Sequence, residues 1–165
     1  SKIKKNSFPE FEKYSLKLWS QSLNTNLTGA FLVAKNTINF LKKRKGSLIF
    51  VSSIYGIVGP DNRIYSSQNF KTLSSYSASK AGLIGLSKWL ATTYAEKNIR
   101  VNTIVPGGIK ANQNKLFVKN YSKRVPMKRM GNINELNGIL TYLISEKSSY
   151  VTGQEFIIDG GLTSW

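Results

Sequence analysis

The chain contains no cysteine and no histidine. Without a thiol it holds no disulfide, no thiolate nucleophile and no cysteine-ligated metal. Without an imidazole it builds neither a Ser-His-Asp triad nor a histidine zinc site. Acidic residues are scarce as well: eight Asp and Glu stand against 24 Lys and Arg, a formal charge of +16. No apolar run approaches the ~20 residues of a bilayer-spanning helix, and the basic start Ser1-Lys2-Ile3-Lys4-Lys5 leads into no apolar signal core. A soluble protein of a reducing compartment, the cytoplasm, is the expectation.

What is present is enough for one packed domain, since 41% of the 165 residues are apolar. The positive charge raises a nucleic-acid reading, because clustered cations neutralise phosphates and release counterions. The cations are scattered, however. The tightest run, Lys42-Lys43-Arg44-Lys45, directly follows an amphipathic segment and suits a helix C-terminus, where cations oppose the negative dipole end. It reads as solvated surface rather than a nucleic-acid patch.

Residues 1–15 lack periodicity and read as a loop leading into a helix. From Leu16 onward Leu23, Leu27, Phe31, Ala34, Ile38 and Leu41 recur at helical steps, which predicts one long helix ended by Gly46. Residues 47–52 read as a buried parallel strand, and Gly59-Pro60-Asp61-Asn62 marks a loop between Gly56 and Ser74. A second helix is expected over 75–97, with Leu83, Leu86, Leu90 and Tyr94 on one face, Gly82 and Gly85 permitting close approach on another, and other helices as partners. Residues 99–105 form the next strand, stopped by Pro106-Gly107-Gly108. A polar stretch follows, then a helix over about 134–145 and a last strand at 155–158. Strand, helix, strand, helix, strand is the grammar of an α/β parallel sheet with crossover helices, here one domain over 1–165 without repeat or linker.

Tyr76 and Lys80 stand four apart in Tyr-Ser-Ala-Ser-Lys, on one face of the second helix, with Ser53 upstream on the turn after an apolar strand. An ammonium beside a phenol favours the phenolate, and an isolated phenol near pKa ~10 is a poor base at neutral pH. The trio therefore suits proton exchange with a substrate oxygen. The bland alternatives are a helix-capping Tyr, a solvated Lys and two turn-forming serines, Ser52 and Ser53. Asn26 is a poor mid-helix residue, and either a kink or a functional role accounts for it. Pro106-Gly107 ends a strand where a ligand crevice opens in an open α/β sheet.

The ordered elements Asn-Leu-Thr-Gly at 26–29, Ser-Ser-Ile-Tyr-Gly at 52–56, Tyr-Ser-Ala-Ser-Lys at 76–80, Ile-Arg-Val-Asn at 99–102, Pro-Gly-Gly-Ile at 106–109, Tyr-Val-Thr-Gly-Gln at 150–154 and Asp-Gly-Gly at 159–161 resemble the short-chain dehydrogenase/reductase family across nearly the whole chain. The resemblance implies a Rossmann-like, doubly wound parallel sheet, NAD or NADP as cofactor, and a small-molecule substrate with a hydroxyl/carbonyl pair. It makes Tyr76 the general acid/base, has Lys80 tune the phenol and bind the nicotinamide ribose, gives Ser53 the substrate oxygen, and lets Asn26 hold a water in a proton relay. Tyr76, Lys80, Pro106, Gly107 and Ile109 become the cofactor contacts, Ile109 meeting the carboxamide through its backbone while Gly107 and Gly108 allow close approach. It also implies dimers or tetramers through the helices at about 16–45 and 75–97. In the loop over 57–75, Arg63, Tyr65 and Gln68 are candidates to bind a polar or anionic substrate such as a sugar or its nucleotide derivative.

Two departures stand out. Lys110-Ala111-Asn112 replaces the Thr that the family often uses at the cofactor phosphates. The family's opening strand, Gly-rich turn and Asn-Asn-Ala-Gly turn do not occur either. The expectation is therefore the C-terminal, catalytic portion of the fold, about three strands, as a fragment, truncated or split product, with a bare edge on the strand at 47–52. The competing readings are an inactive relative kept as an interaction surface and a basic nucleic-acid-binding domain.

Overall fold

The computed structural model describes residues 9–65 and 71–165. Three parallel strands, β1 (Ser47–Val51), β2 (Arg100–Pro106) and β3 (Glu155–Ile158), form one sheet in the order β1-β2-β3. β2 is central and buried along nearly its whole length, Val101, Ile104 and Val105 supplying its apolar contacts. Asn102, wholly buried in this strand, is hydrogen-bonded: its amide donates to the Val151 carbonyl at 2.9 Å and its oxygen accepts from Gln154 N–H at 3.0 Å, fixing the approach to β3. Val51, at the end of β1, is half exposed, and among the described residues no strand pairs with the outer side of β1.

The expected single N-terminal helix is two. α1 (Leu16–Leu23), capped by the Ser15 hydroxyl accepting from Leu18 N–H, passes through a five-residue π-helical turn, Asn24–Thr28, into α2 (Gly29–Arg44). Gly29 N–H bonds the Asn24 carbonyl, five residues back, so the face presented to the core is re-aimed within one turn. Ala34 and Ile38 are buried with Leu27, Ala30 and Leu41 packed beside them, whereas Phe31 is 44% exposed. Lys42, Lys43 and Arg44 occupy the last turn, as the dipole argument requires. Lys45 takes the left-handed cap (φ 53°), and Gly46 lies where a Cβ would collide with the Leu41 side chain.

α3 (Ser74–Tyr94) lies across the sheet, burying Leu83, Leu90 and Ala91 with Phe50 and Val101 in the main core. Its partners are thus the sheet as well as the preceding helices. Of its two glycines only one marks a close approach. A Cβ on Gly82 would stand 2.7 Å from Leu27 Cδ2, but at Gly85 nothing lies within 4 Å. Gly85→Ala should therefore raise stability by about 0.5–1 kcal/mol through helix propensity, while Gly82→Ala should lower it; equal shifts in a urea titration would contradict this packing.

The stretch after β2, read from the sequence only as polar, contains α4 (Lys115–Arg124), capped by Asn114 accepting from Phe117 N–H at 2.8 Å. Phe117 and Tyr121 project from it into a second core cluster with Ile64, Tyr65, Val125 and Met130. α5 (Asn137–Ile144), preceded by the Asn132–Glu135 capping box, completes the layer before β3.

Candidate active site

The carboxyl ends of β1 and β2 lie side by side, and the candidate residues gather there. Ser52 extends the pairing by one bond, its N–H to the Ile104 carbonyl at 2.8 Å. The chain then enters a 3-10 turn, Ile54–Gly56, that Ser53 caps by accepting from Tyr55 N–H at 3.2 Å. With an oxygen lone pair engaged by the turn, the Ser53 O–H is left to donate. Ser53 and Tyr76 both line a cavity of about 430 Å³. Among the described residues the Tyr76 hydroxyl has no hydrogen-bond partner, so its oxygen is free for a ligand.

One turn along α3, the Lys80 ammonium lies 5.6 Å from the centre of the Tyr76 ring and donates to the Val51 carbonyl at 3.0 Å. Burial lowers its pKa below the usual lysine range. Asn26 sits in the π-helical turn, and its amide donates to the Ser79 hydroxyl at 3.1 Å, which in turn donates to the Tyr76 carbonyl at 2.7 Å. The kink and the connection to the tyrosine's turn thus coexist at one residue. Neither Asn26 nor Lys80 is among the residues that line the cavity.

Gly107, Gly108 and Ile109 line the cavity, whereas Pro106 is buried at the end of β2. This segment is held rigidly. Gly107 N–H bonds the Ile158 carbonyl at 2.9 Å, Gly131 N–H bonds Gly108 O at 3.0 Å, and Lys110 N–H bonds Gly131 O at 2.7 Å. Tyr65 joins these residues on the wall, together with Tyr55 and with Phe117 and Tyr121 of α4, three aromatics that the sequence reading missed, and Met130. The Tyr55 and Tyr65 hydroxyls are 3.0 Å apart, Thr72 donates to Tyr65 at 2.9 Å, and the Tyr121 hydroxyl accepts from Gly108 N–H. The sequence signal was available: an Asn cap, aromatics at i and i+4, basic residues in the last turn and Pro126 beyond.

The mouth candidates fare differently. Tyr65 lines the cavity as expected. Arg63 does not; its guanidinium pairs with Asp61 at 2.9 Å and faces a neighbouring cavity shared with Arg124 and Trp165. The bidentate carboxylate fixes it there, because the Asp61–Arg63 turn places the two groups together locally. Gln68 lies outside the described residues.

Burial pushes the Tyr121 phenol up to about 12 and that of Tyr55 higher still, the latter aided by its bond to Tyr65. Both shifts are upward, so the neutral phenols stabilise the folded state fully below the ordinary tyrosine pKa, and this contribution is lost as pH rises from there through about 12. In an ultraviolet alkaline titration these should be the last of the eight tyrosines to ionise, and Tyr121→Phe should remove part of the high-pH component. A folded protein whose tyrosines all titrate together near pH ~10 would contradict it.

A parallel α/β sheet with a serine just past the end of β1 and a tyrosine and a lysine on the adjoining α3 is a Rossmann-like arrangement. The comparisons specify it further: a family model described as Enoyl-(Acyl carrier protein) reductase matches residues 3–163, and the chain belongs to the short-chain dehydrogenase/reductase family. It is 40% identical over 153 residues to the 3-oxoacyl-[acyl-carrier-protein] reductase FabG of Buchnera aphidicola subsp. Schizaphis graminum, covering 90% of this chain and 59% of that protein. A short-chain dehydrogenase from Leptospira borgpetersenii, solved with bound NAD+, superposes with a TM-score of 0.87 at 39% identity over 96% of this chain and 61% of its own. A gluconate 5-dehydrogenase from Burkholderia cenocepacia, solved with NADP and tartrate, gives 0.84 at 26% identity over 95% and 60%. The chain thus spans about three-fifths of the length of the relatives it matches.

Proposed function

We propose that the chain carries the catalytic portion of a nicotinamide-dependent oxidoreductase that interconverts a hydroxyl and a carbonyl. The observation that carries this reading is the meeting of Ser53 and Tyr76 on one cavity with the Lys80 ammonium beside the Tyr76 ring. Tyr76 gives a proton to, or takes one from, the substrate oxygen. Ser53 donates a hydrogen bond to that same oxygen and stabilises the charge it gathers. Lys80 supplies positive charge next to the phenol, and Asn26, through Ser79, holds the turn that bears it.

The residues present fit the nicotinamide-ribose end of NAD or NADP. Lys80 spends one of its three donors on Val51 and keeps the others for ribose hydroxyls. Gly107 and Gly108, following Pro106, present a rigid backbone with no side-chain bulk, and Ile109 continues it with its own backbone groups. The cofactor supplies the hydride. Relatives with NAD+ and with NADP support either form.

For the substrate, the Buchnera relative's name favours a 3-oxoacyl thioester, and the apolar surface that Leu73, Phe117, Met130 and the tyrosine rings give the wall suits an acyl chain. A sugar acid is the second reading, favoured by the gluconate dehydrogenase. Self-association into dimers or tetramers through α1–α2 and α3 belongs to the same proposal, since Val33, Phe40 and Trp89 are exposed there, and light scattering measures it. No described helix is long and apolar enough to cross a membrane, and we place the protein in the cytoplasm.

The test is loss of reduced-nicotinamide absorbance with NADH or NADPH and either a short 3-oxoacyl thioester or a sugar-acid ketone. It is run on the chain alone and co-expressed with the part of the Buchnera relative that it does not cover. Turnover in either arrangement supports the proposal; none with any pairing, from folded protein, overturns it.

A further inference from the structure

Ser52, the serine beside the one assigned to the substrate, has a separate task. It is 4% exposed, and its hydroxyl donates to the main-chain carbonyl of Lys80 at 2.8 Å, crossing from the end of β1 to the second turn of α3. Four residues later Gly56 presses on the same point. A Cβ there would stand 2.9 Å from the Lys80 carbonyl carbon, 2.9 Å from Ser52 Oγ and 3.0 Å from Ala81 N. The Lys80 side chain returns the contact, its ammonium bonding the Val51 carbonyl. Residue 80 is therefore tied to the end of β1 through its backbone and through its side chain.

We infer that Ser52 and Gly56 are positioning residues that set the register of α3 against the Ser53 turn. The inference rests on the function proposed above. Ser53 and Tyr76 come from different elements, so their separation is not fixed by local geometry. A helix advances about 1.5 Å per residue, and an error near 1 Å in a reacting pair costs on the order of 10²-fold in rate. A side-chain donor locked onto one helix carbonyl, with a glycine allowing backbone contact beside it, removes that freedom. Ser52 can do this because it is the last residue still paired to β2, its N–H held by Ile104.

Ser52→Ala removes the donor without substituting Ser53, Tyr76 or Lys80. Gly56→Ala attacks the same contact from the other side. Each should lower kcat about 10–100-fold while KM for the nicotinamide cofactor changes less than about twofold, and each should displace the pH dependence of kcat, because the ammonium moves relative to the phenol. A merely structural role would lower thermal stability and leave the rate per folded molecule and its pH profile unchanged. The Lys80 carbonyl carbon, followed by NMR, should also move upfield in Ser52→Ala as its extra hydrogen bond is lost.

A Ser52→Ala protein that keeps wild-type kcat and pH profile overturns the inference. If the wild-type chain gives no turnover in any arrangement, the proposed function fails instead. The carbonyl resonance then decides the clamp on its own: an unmoved signal sinks it, and an upfield shift upholds it.

Discussion

Tyr76→Phe is expected to reduce turnover by about 10²–10⁴-fold, the usual contribution of a positioned acid/base, and to leave thermal unfolding within a degree or two. The ring stays beside Lys80 in the substituted protein, so packing and the cation contact survive. Only the oxygen goes, and among the described residues that oxygen bonds nothing within the protein. Its removal therefore orphans no partner, which separates this substitution from a structural one. Undiminished turnover in Tyr76→Phe would remove the mechanism; a large loss of stability with it would assign the hydroxyl a structural partner instead.

The largest effect on stability is expected from Gly108→Val. A Cβ at Gly108 would lie 2.5 Å from Tyr121 Cζ and under 3 Å from both neighbouring ring carbons, so the ring has to move. Overpacking of this kind costs about 1–3 kcal/mol, and the lost Gly108–Tyr121 hydrogen bond adds about 1. For a chain of this length that amounts to a fall in Tm of roughly 5–15 °C. Gly108→Val/Tyr121→Ala should be less than additive, because the second change removes the obstacle to the first. Strict additivity of the two Tm shifts would mean that ring and glycine do not touch.

The sheet was legible because its strands are short apolar runs between clear punctuation, and the β3 segment, Glu155–Ile158, matches its expected bounds. The Tyr76–Lys80 pairing was legible because four residues along a helix are one turn in any context. What periodicity could not reveal was the interruption at Asn24–Thr28: a π-helical turn adds one residue to the register without breaking the helical pattern of Leu23, Leu27 and Ala34. α4 was hidden by its composition, since only Phe117, Val118 and Tyr121 mark its inner side amid lysines and asparagines, and a two-turn aromatic stripe is a faint signal. Arg63 was misplaced because its binding to Asp61 depends on how the chain turns there, which charge alone does not disclose. Gly85 looked like Gly82 in sequence, and only the position of Leu27 distinguishes them.

The second core cluster and the wall of the cavity are largely the same side chains, Tyr65, Phe117, Tyr121 and Met130. Cohesion in that part of the molecule is thus shared between protein atoms and whatever occupies the space they enclose. An occupant completes the packing of α4 against the turn at Asn62–Tyr65, and by mass action each tenfold excess over its dissociation constant adds about 1.4 kcal/mol to the ordered form. Protease cutting between Ile109 and Gly131 would slow in proportion, which makes digestion of that segment a means of screening ligands before any turnover has been seen.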